Sequence, residues 1–242
     1  LTRLGHTVGY LTKLGRDPFG RQIVKVMNQN GIDTSLTVTS EDHATGFMLK
    51  SKTVHGDPDI YYYRKNSAAS TICPDDVKGL DLKEWDAIHL TGILPAISES
   101  AHQTTICLMK KAKEAGIPIF FDPNLREQLW KDHETMVQSI NYLASMADYV
   151  MPGENEGKIL CGSDDPAKIG DFYLQNGAKT VIVKTGSDGA WAITKEQKLH
   201  VPAYVPKKIV DTVGAGDGFA AGVISAVLEG LPLEKAILRG NA

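Results

Sequence analysis

The sequence predicts an α/β protein: a doubly wound, mainly parallel sheet with a small β-sheet lid. Three observations carry this expectation. From Trp85 onward, short apolar runs alternate with amphipathic segments, the pattern of buried parallel strands joined by helices. Residues 32–70 break that pattern with β-branched and aromatic runs that have no helix between them. The chain has 242 residues, 42% of them hydrophobic, enough for one large α/β domain or such a domain plus a small appendage.

Each element follows from its local pattern. "LTRLG" reads as the last turn of a helix. "LTVTS", "TGFMLKSKTV" and "DIYYYRKNS" read as antiparallel strands joined by turns such as His55-Gly56-Asp57-Pro58. A separate lid over 32–70 is favoured over an extension of the main sheet. The α/β core is then 1–31 with 71–242. "WDAIHLTG" is a strand, and "SESAHQTTICLMKKAKEAG" a helix closed by Gly116. "IPIFFD" is a strand and "HETMVQSINYLASM" a helix. "ADYVMP" is a strand, "ENEGKILCG" a short helix and "AKIGDFYLQNG" another. "KTVIVKTG" is again a strand. In such sheets ligands sit beyond the carboxyl ends of the strands. The chain opens at Leu1 and ends in "LEKAILRGNA", helical in period and without a stop, so a piece of a longer protein is expected.

A formal net charge of -3 gives no basic field for nucleic acid or an anionic membrane. No run of eighteen apolar residues and no signal-peptide pattern is present. Cys73, Cys107 and Cys161 are scattered, without a disulfide framework or metal pair, and the default is a reduced, cytoplasmic setting.

The chemistry concentrates in "DTVGAGDGFAAG", residues 211–222. Gly214 and Gly216 allow positive φ and close approach of a ligand. The N–H groups of Ala215, Gly216 and Asp217 would point at one spot, helped by the helix dipole. A carboxylate beside an anion hole makes sense in phosphoryl transfer, where it accepts the proton of an attacking hydroxyl. Composition alone leaves open a plain capping turn with Asp217 as a first-turn carboxylate.

"DTVGAGDGFAAGVI" resembles, position by position, the C-terminal signature of the ribokinase-like (PfkB) sugar kinases. "VGYLTKLGRDPFGRQIVKVMNQNGID" is similar to that family's N-terminal strand-helix unit, and "VKTGSDGAW" to its nucleotide-binding strand and turn. The resemblance implies that Asp217 is the catalytic base and that Gly214, Ala215 and Gly216 form the hole. It implies ATP and Mg²⁺ as cofactors, with Asn124, Lys184, Gly186, Ser187, Gly189, Gly214 and Gly216 toward the nucleotide. In the family's Asn-x-x-Glu pattern, tied to Mg²⁺ through water, Glu156 matches the glutamate while Gly153 replaces the asparagine. Glu156 therefore stands as the magnesium candidate beside a plainer role at a helix start. The family's first strand and its adenine-enclosing segment are not in these residues.

Two arginines bear on the substrate. Arg126, in "FDPNLREQLW", presents a planar fork suited to carboxylate or phosphate, or pairs with Asp122 or Glu127 at the surface. In "YYYRKNSAAS" alternation puts Tyr62 and Arg64 on one face and Tyr63 on the other. Two cations and a hydroxyl suit a sugar acid better than a neutral hexose. The segment resembles the lid of 2-keto-3-deoxygluconate kinases, and "DPNLR…LW" is shared with fructokinases. The alternatives are a fructokinase, a binding protein without turnover, and, for the lid arginine, a merely protected sheet edge. The expected partners are a small-molecule sugar acid and ATP, with no nucleic acid and no membrane. A homo-oligomer through the lid is a further expectation.

Overall fold

The computed structural model describes residues 1–51, 60–204 and 213–242. The His55-Gly56-Asp57-Pro58 turn, and Asp211 and Thr212 of the glycine-rich stretch, lie outside the described residues. The chain divides into two compact units. One comprises 2–79 with 94–105, the other Leu1, 80–93 and 106–242.

In the first unit β1 (Val8–Gly9), β2 (Thr12–Gly15), α1 (Pro18–Gln29), β3 (Ile32–Asp33) and β4 (Thr37–Ser40) follow one another. Asp17 caps α1 by accepting from Gly20 N at 2.8 Å, and its other oxygen accepts from Thr45 N at 2.7 Å. These bonds hold the Asp17 carboxyl below its ordinary value, the Thr45 N–H being the largest cause. β1 pairs with β3, and β2 with β4, both in parallel. The antiparallel expectation for "LTVTS" is thereby corrected. That segment follows α1, and a helical crossover returns the chain in the same direction.

Only β5 (Phe47–Lys50) and β6 (Ile60–Tyr63) form the expected antiparallel ribbon. Phe47 stacks on Tyr63 at 4.7 Å and on Phe19 of α1 at 5.5 Å. This aromatic stack fixes one face of a ribbon that could not stand alone. "LTRLG" forms a 3-10 turn over Thr2–Leu4 in place of a helix end.

The second unit holds the main sheet. Its strands are β7 (Ile88–Thr91), β8 (Ile119–Asp122), β9 (Tyr149–Val150), β10 (Thr180–Lys184), β11 (Ala190–Ile193) and β12 (Lys198–Val201). Among the described residues the order is β12-β11-β10-β9-β8-β7. β7 through β10 run parallel, and β11 and β12 add an antiparallel edge. The short α2 (Ile93–Ala96) precedes α3 (Glu99–Ala115), which Gly116 closes as expected, with φ +74. α4 (His133–Ser145), α5 (Glu154–Cys161) and α6 (Pro166–Gln175) follow. α7 (Ala215–Leu228) and α8 (Leu233–Asn241) end the chain.

β8 and β10 are nearly all buried, which is why they read as continuous apolar runs. Phe120, Ile182 and Ala192 share one core cluster with Phe219, Ala220, Val223 and Ile224 of α7 and Ile237 of α8. A Cβ on Gly222 would come within 2.6 Å of the Arg239 carbonyl. Glycine there lets the α7 and α8 backbones touch. No helix among the described residues is long and apolar enough to cross a membrane.

Candidate active site

The parallel strands all deliver their carboxyl ends to one edge of the sheet. In register, Thr91 of β7 lies opposite Asp122 of β8, and Gly153, after β9, bridges to Lys184 of β10. Side chains alternate along a strand, so Asp122 shares the face of Phe120, which α7 covers. Asp122 is only 3% exposed. A carboxylate so buried needs a partner, and Lys184 Nζ supplies it at 2.7 Å. The sequence left open a surface pairing of Arg126 with Asp122 or Glu127. The structure corrects this: Asp122 takes Lys184, and Arg126 donates to its own neighbour, Leu125 O, at 2.7 Å. Among the described residues Arg126 makes no salt bridge and is half-buried.

His89 of β7 lies in this neighbourhood and was not anticipated. Desolvation is the main force pushing its imidazole toward the neutral form, while the carboxylates of Asp122 and Asp217 pull the other way. His89 is exposed and lies on β7, the end strand of the main sheet among the described residues. A histidine within "IHLT", two residues before the strand's end, was the available signal. For Asp122 it was the single acid closing the apolar run "IPIFFD".

The glycine-rich turn forms the N-terminus of α7. Gly214 is its cap, in the left-handed region at φ +79, as expected of a glycine there. Gly216 differs from the expectation. It lies inside the first helical turn without positive φ, so its use is its missing side chain. A Cβ placed on Gly214, Gly216 or Gly218 would meet no heavy atom of the described residues within 4 Å. Residues 213–218 are exposed, while the helix from Phe219 onward is largely buried. The core thus anchors the body of α7 and leaves its first turn open. The N–H groups of Ala215, Gly216 and Asp217 head the helix, where no intrahelical acceptor exists. With the dipole they make an anion-attracting end, and the Asp217 carboxylate stands in it.

Two further loops complete this edge. Thr185 N donates to Gly189 O at 2.9 Å, closing a 3-10 turn over Gly186–Asp188 that carries Ser187. The Thr185 hydroxyl is buried with no hydrogen-bond partner among the described residues. In the loop after β8, Asn124 adopts a left-handed φ of +40, and its N–H donates to Asp122 Oδ1 at 3.1 Å. Glu156, in the first turn of α5, accepts from Gly153 N at 2.7 Å and from Leu125 N at 2.8 Å, one on each oxygen. Its helix-start role is therefore realised. Among the described residues no group of three acidic, histidine or cysteine side chains could by itself hold a metal.

Tyr62 and Arg64 belong to the other unit. The Arg64 guanidinium lies 4.8 Å from the centre of the Tyr62 ring. The two share a face, as alternation required, and Tyr63 stacks on Phe47 at the other.

The whole chain, residues 1–242, matches the model of the pfkB family carbohydrate kinases. The chain belongs to that family. A curated 2-dehydro-3-deoxygluconokinase from Bacillus subtilis (strain 168) is 43% identical to this pfkB kinase, over 100% of the chain and 75% of the relative. A solved PfkB protein from Polaromonas sp. JS666 superposes with a TM-score of 0.92 at 41% identity, covering 99% of this chain and 79% of that one. A putative ribokinase II from E. coli, crystallised with ATP and Mg²⁺, gives 0.89 at 28% identity, covering 99% and 76%. The protein is thus a carbohydrate kinase, a phosphotransferase with an alcohol group as acceptor, of ribokinase-like α/β fold.

Removing one partner of a buried ion pair strands the other. Lys184→Met should lower stability by about 2 kcal/mol, a drop in Tm of roughly 4–8 °C. Adding Asp122→Asn should restore most of it, and calorimetry of the three variants checks both outcomes.

Proposed function

We propose that this pfkB kinase transfers the γ-phosphoryl group of MgATP to the C6 hydroxyl of 2-keto-3-deoxygluconate in sugar-acid catabolism. The observation that carries the reading is the anion-attracting helix end with a carboxylate set in it. In the transfer, Asp217 accepts the proton of the sugar hydroxyl as its oxygen bonds to phosphorus. The bond to the bridging oxygen of ADP breaks. The N–H groups of Ala215, Gly216 and Asp217 stabilise charge on the phosphoryl oxygens. A binding protein would gain nothing from a carboxylate in that position.

Bound with ATP, Mg²⁺ neutralises phosphate charge. Magnesium is commonly held by phosphates and water with one or two carboxylates, so a site without a protein cage suits it. The turn at Gly186–Gly189, together with Lys184, Asn124, Gly214 and Gly216, is assigned to the nucleotide. Arg126 and the Tyr62–Arg64 pair are assigned to the substrate. Arg64 and Arg126 each suit an anionic sugar better than fructose, and the named activity of the 43% identical relative supports the same choice. Three free thiols, Cys73, Cys107 and Cys161, suit a reduced, cytoplasmic setting.

A coupled assay with 2-keto-3-deoxygluconate and fructose side by side tests the substrate, and preference for fructose would reject it. Asp217→Asn should lower kcat by about 10²–10⁴ with ATP affinity nearly intact. Turnover within threefold of the parent protein would remove the base assignment. Arg64→Ala should raise KM for the acid sugar roughly tenfold while leaving KM for ATP in place. Arg126→Ala, measured beside it, separates substrate binding from phosphoryl stabilisation by whether KM or kcat moves.

The lid is further proposed to join two copies of the chain. Phe47, Met48, Leu49, Ile60, Tyr61 and Tyr63 are all exposed on the β5–β6 ribbon, an apolar surface of the kind that seeks cover. Sedimentation velocity should give a dimer that Leu49→Lys with Tyr61→Lys converts to monomer.

A further inference from the structure

We infer that His200 of β12 is a positioning residue for the Gly186–Asp188 turn: its imidazole N–H fixes the peptide group that closes the turn, and so holds the turn in shape for the nucleotide. His200 Nε2 lies 2.9 Å from the Asp188 carbonyl oxygen. A carbonyl only accepts, so Nε2 carries the proton in this contact. The Asp188 carboxylate, 3.3 Å from the same nitrogen, is likewise an acceptor. The peptide group joining Asp188 to Gly189 is held at its other polar end as well, because Gly189 N donates to Gly186 O at 3.2 Å. That second bond is the one that closes the 3-10 turn. The next residue of β12 braces the same point. Gly189 has φ +106, and a Cβ there would collide with the Val201 carbonyl, so turn and strand meet backbone to backbone. Asn241 of α8 donates to Pro202 O at 3.0 Å, which ties down the exit of β12.

The residue type fits this work. His200 pairs across the ladder with Trp191 of β11, and the two rings lie 4.9 Å apart at 31°. Contact with the indole restricts the imidazole's rotation while its Nε2 edge meets the turn. Lysine or arginine would offer a donor on a long, mobile stem. Phenylalanine would keep the stack and lose the donor. Glutamine would keep a neutral N–H donor and lose the ring. These two replacements therefore separate the hydrogen bond from the packing.

The inference rests on the proposed nucleotide role of the turn, and the test keeps the two apart. In His200→Phe, KM for ATP should rise about three- to fivefold, the worth of one hydrogen bond. KM for whichever sugar the coupled assay selects, and kcat, should stay within about twofold of the parent. His200→Gln should return KM for ATP to within about twofold of the parent. Hydrogen exchange at the Gly189 amide should accelerate in His200→Phe by about the same factor as KM for ATP. Long-range proton–nitrogen NMR of the parent protein should show the neutral ring protonated at Nε2, a measurement that stands even where a variant does not fold. Equal losses in both variants, a rise in sugar KM that matches the rise for ATP, unchanged exchange at Gly189, or a neutral ring protonated at Nδ1 would each overturn the inference. If MgATP fails to slow exchange at the Ser187 and Asp188 amides of the parent, the nucleotide role of the turn fails by itself, and the ring's tautomer and the Gly189 exchange rate still decide the clamp.

Discussion

The site edge of the main sheet depends on one electrostatic constraint: a carboxylate buried at the end of β8 must be paired. Asp122 is 3% exposed, and the cost of leaving such a charge alone exceeds what most single contacts return. Lys184 meets the need from β10, two strands away. The pairing draws the loop after β8 and the turn after β10 together over the intervening end of β9. It also leaves the second oxygen of Asp122 to hold Asn124 N. Arg126 is thereby released from the role of counter-ion to Asp122, and among the described residues it makes no salt bridge.

α7 meets a different pair of demands. Its body is built of small and apolar residues, with Ala220, Gly222, Val223, Ser225 and Ala226 buried. Small side chains allow α7 to lie close on the sheet and let α8 touch it at Gly222. Close packing gives the helix rigidity at a stretch where its first turn has glycines and little cover. The same helix is therefore anchored at one end and open at the other. Preorganised N–H donors are effective for that reason, since they need no rearrangement when charge develops.

The β5–β6 ribbon is ordered by contacts within its own unit. Phe19, Phe47 and Tyr63 stack on one side of the ribbon, while Arg64 lies over Tyr62 on the other. An arginine already oriented on an aromatic face loses less freedom when it meets an anion. The aromatic density of "IYYYR" thus orders both faces of the ribbon at once.

Hydrophobic period and turn chemistry determined most of the fold by themselves. The strands at "IPIFFD" and "KTVIVKTG" and the helices closed by Gly116 and Gly162 form where local pattern places them. Burial on both faces and left-handed helix ends are constraints written in adjacent residues. Gly214 and Asp217 were legible for the same reason, since a left-handed cap and a first-turn acid sit three residues apart in one helix. Tertiary structure decided what depends on distant partners. The parallel pairing of "LTVTS" with β2 required the crossover through α1. The choice of Lys184 over Arg126 for Asp122 spans 62 residues, and the reach of Glu156 to Leu125 spans 31. No local pattern encodes which of several cations meets a buried carboxylate, because that is settled by which strand ends the sheet order brings side by side.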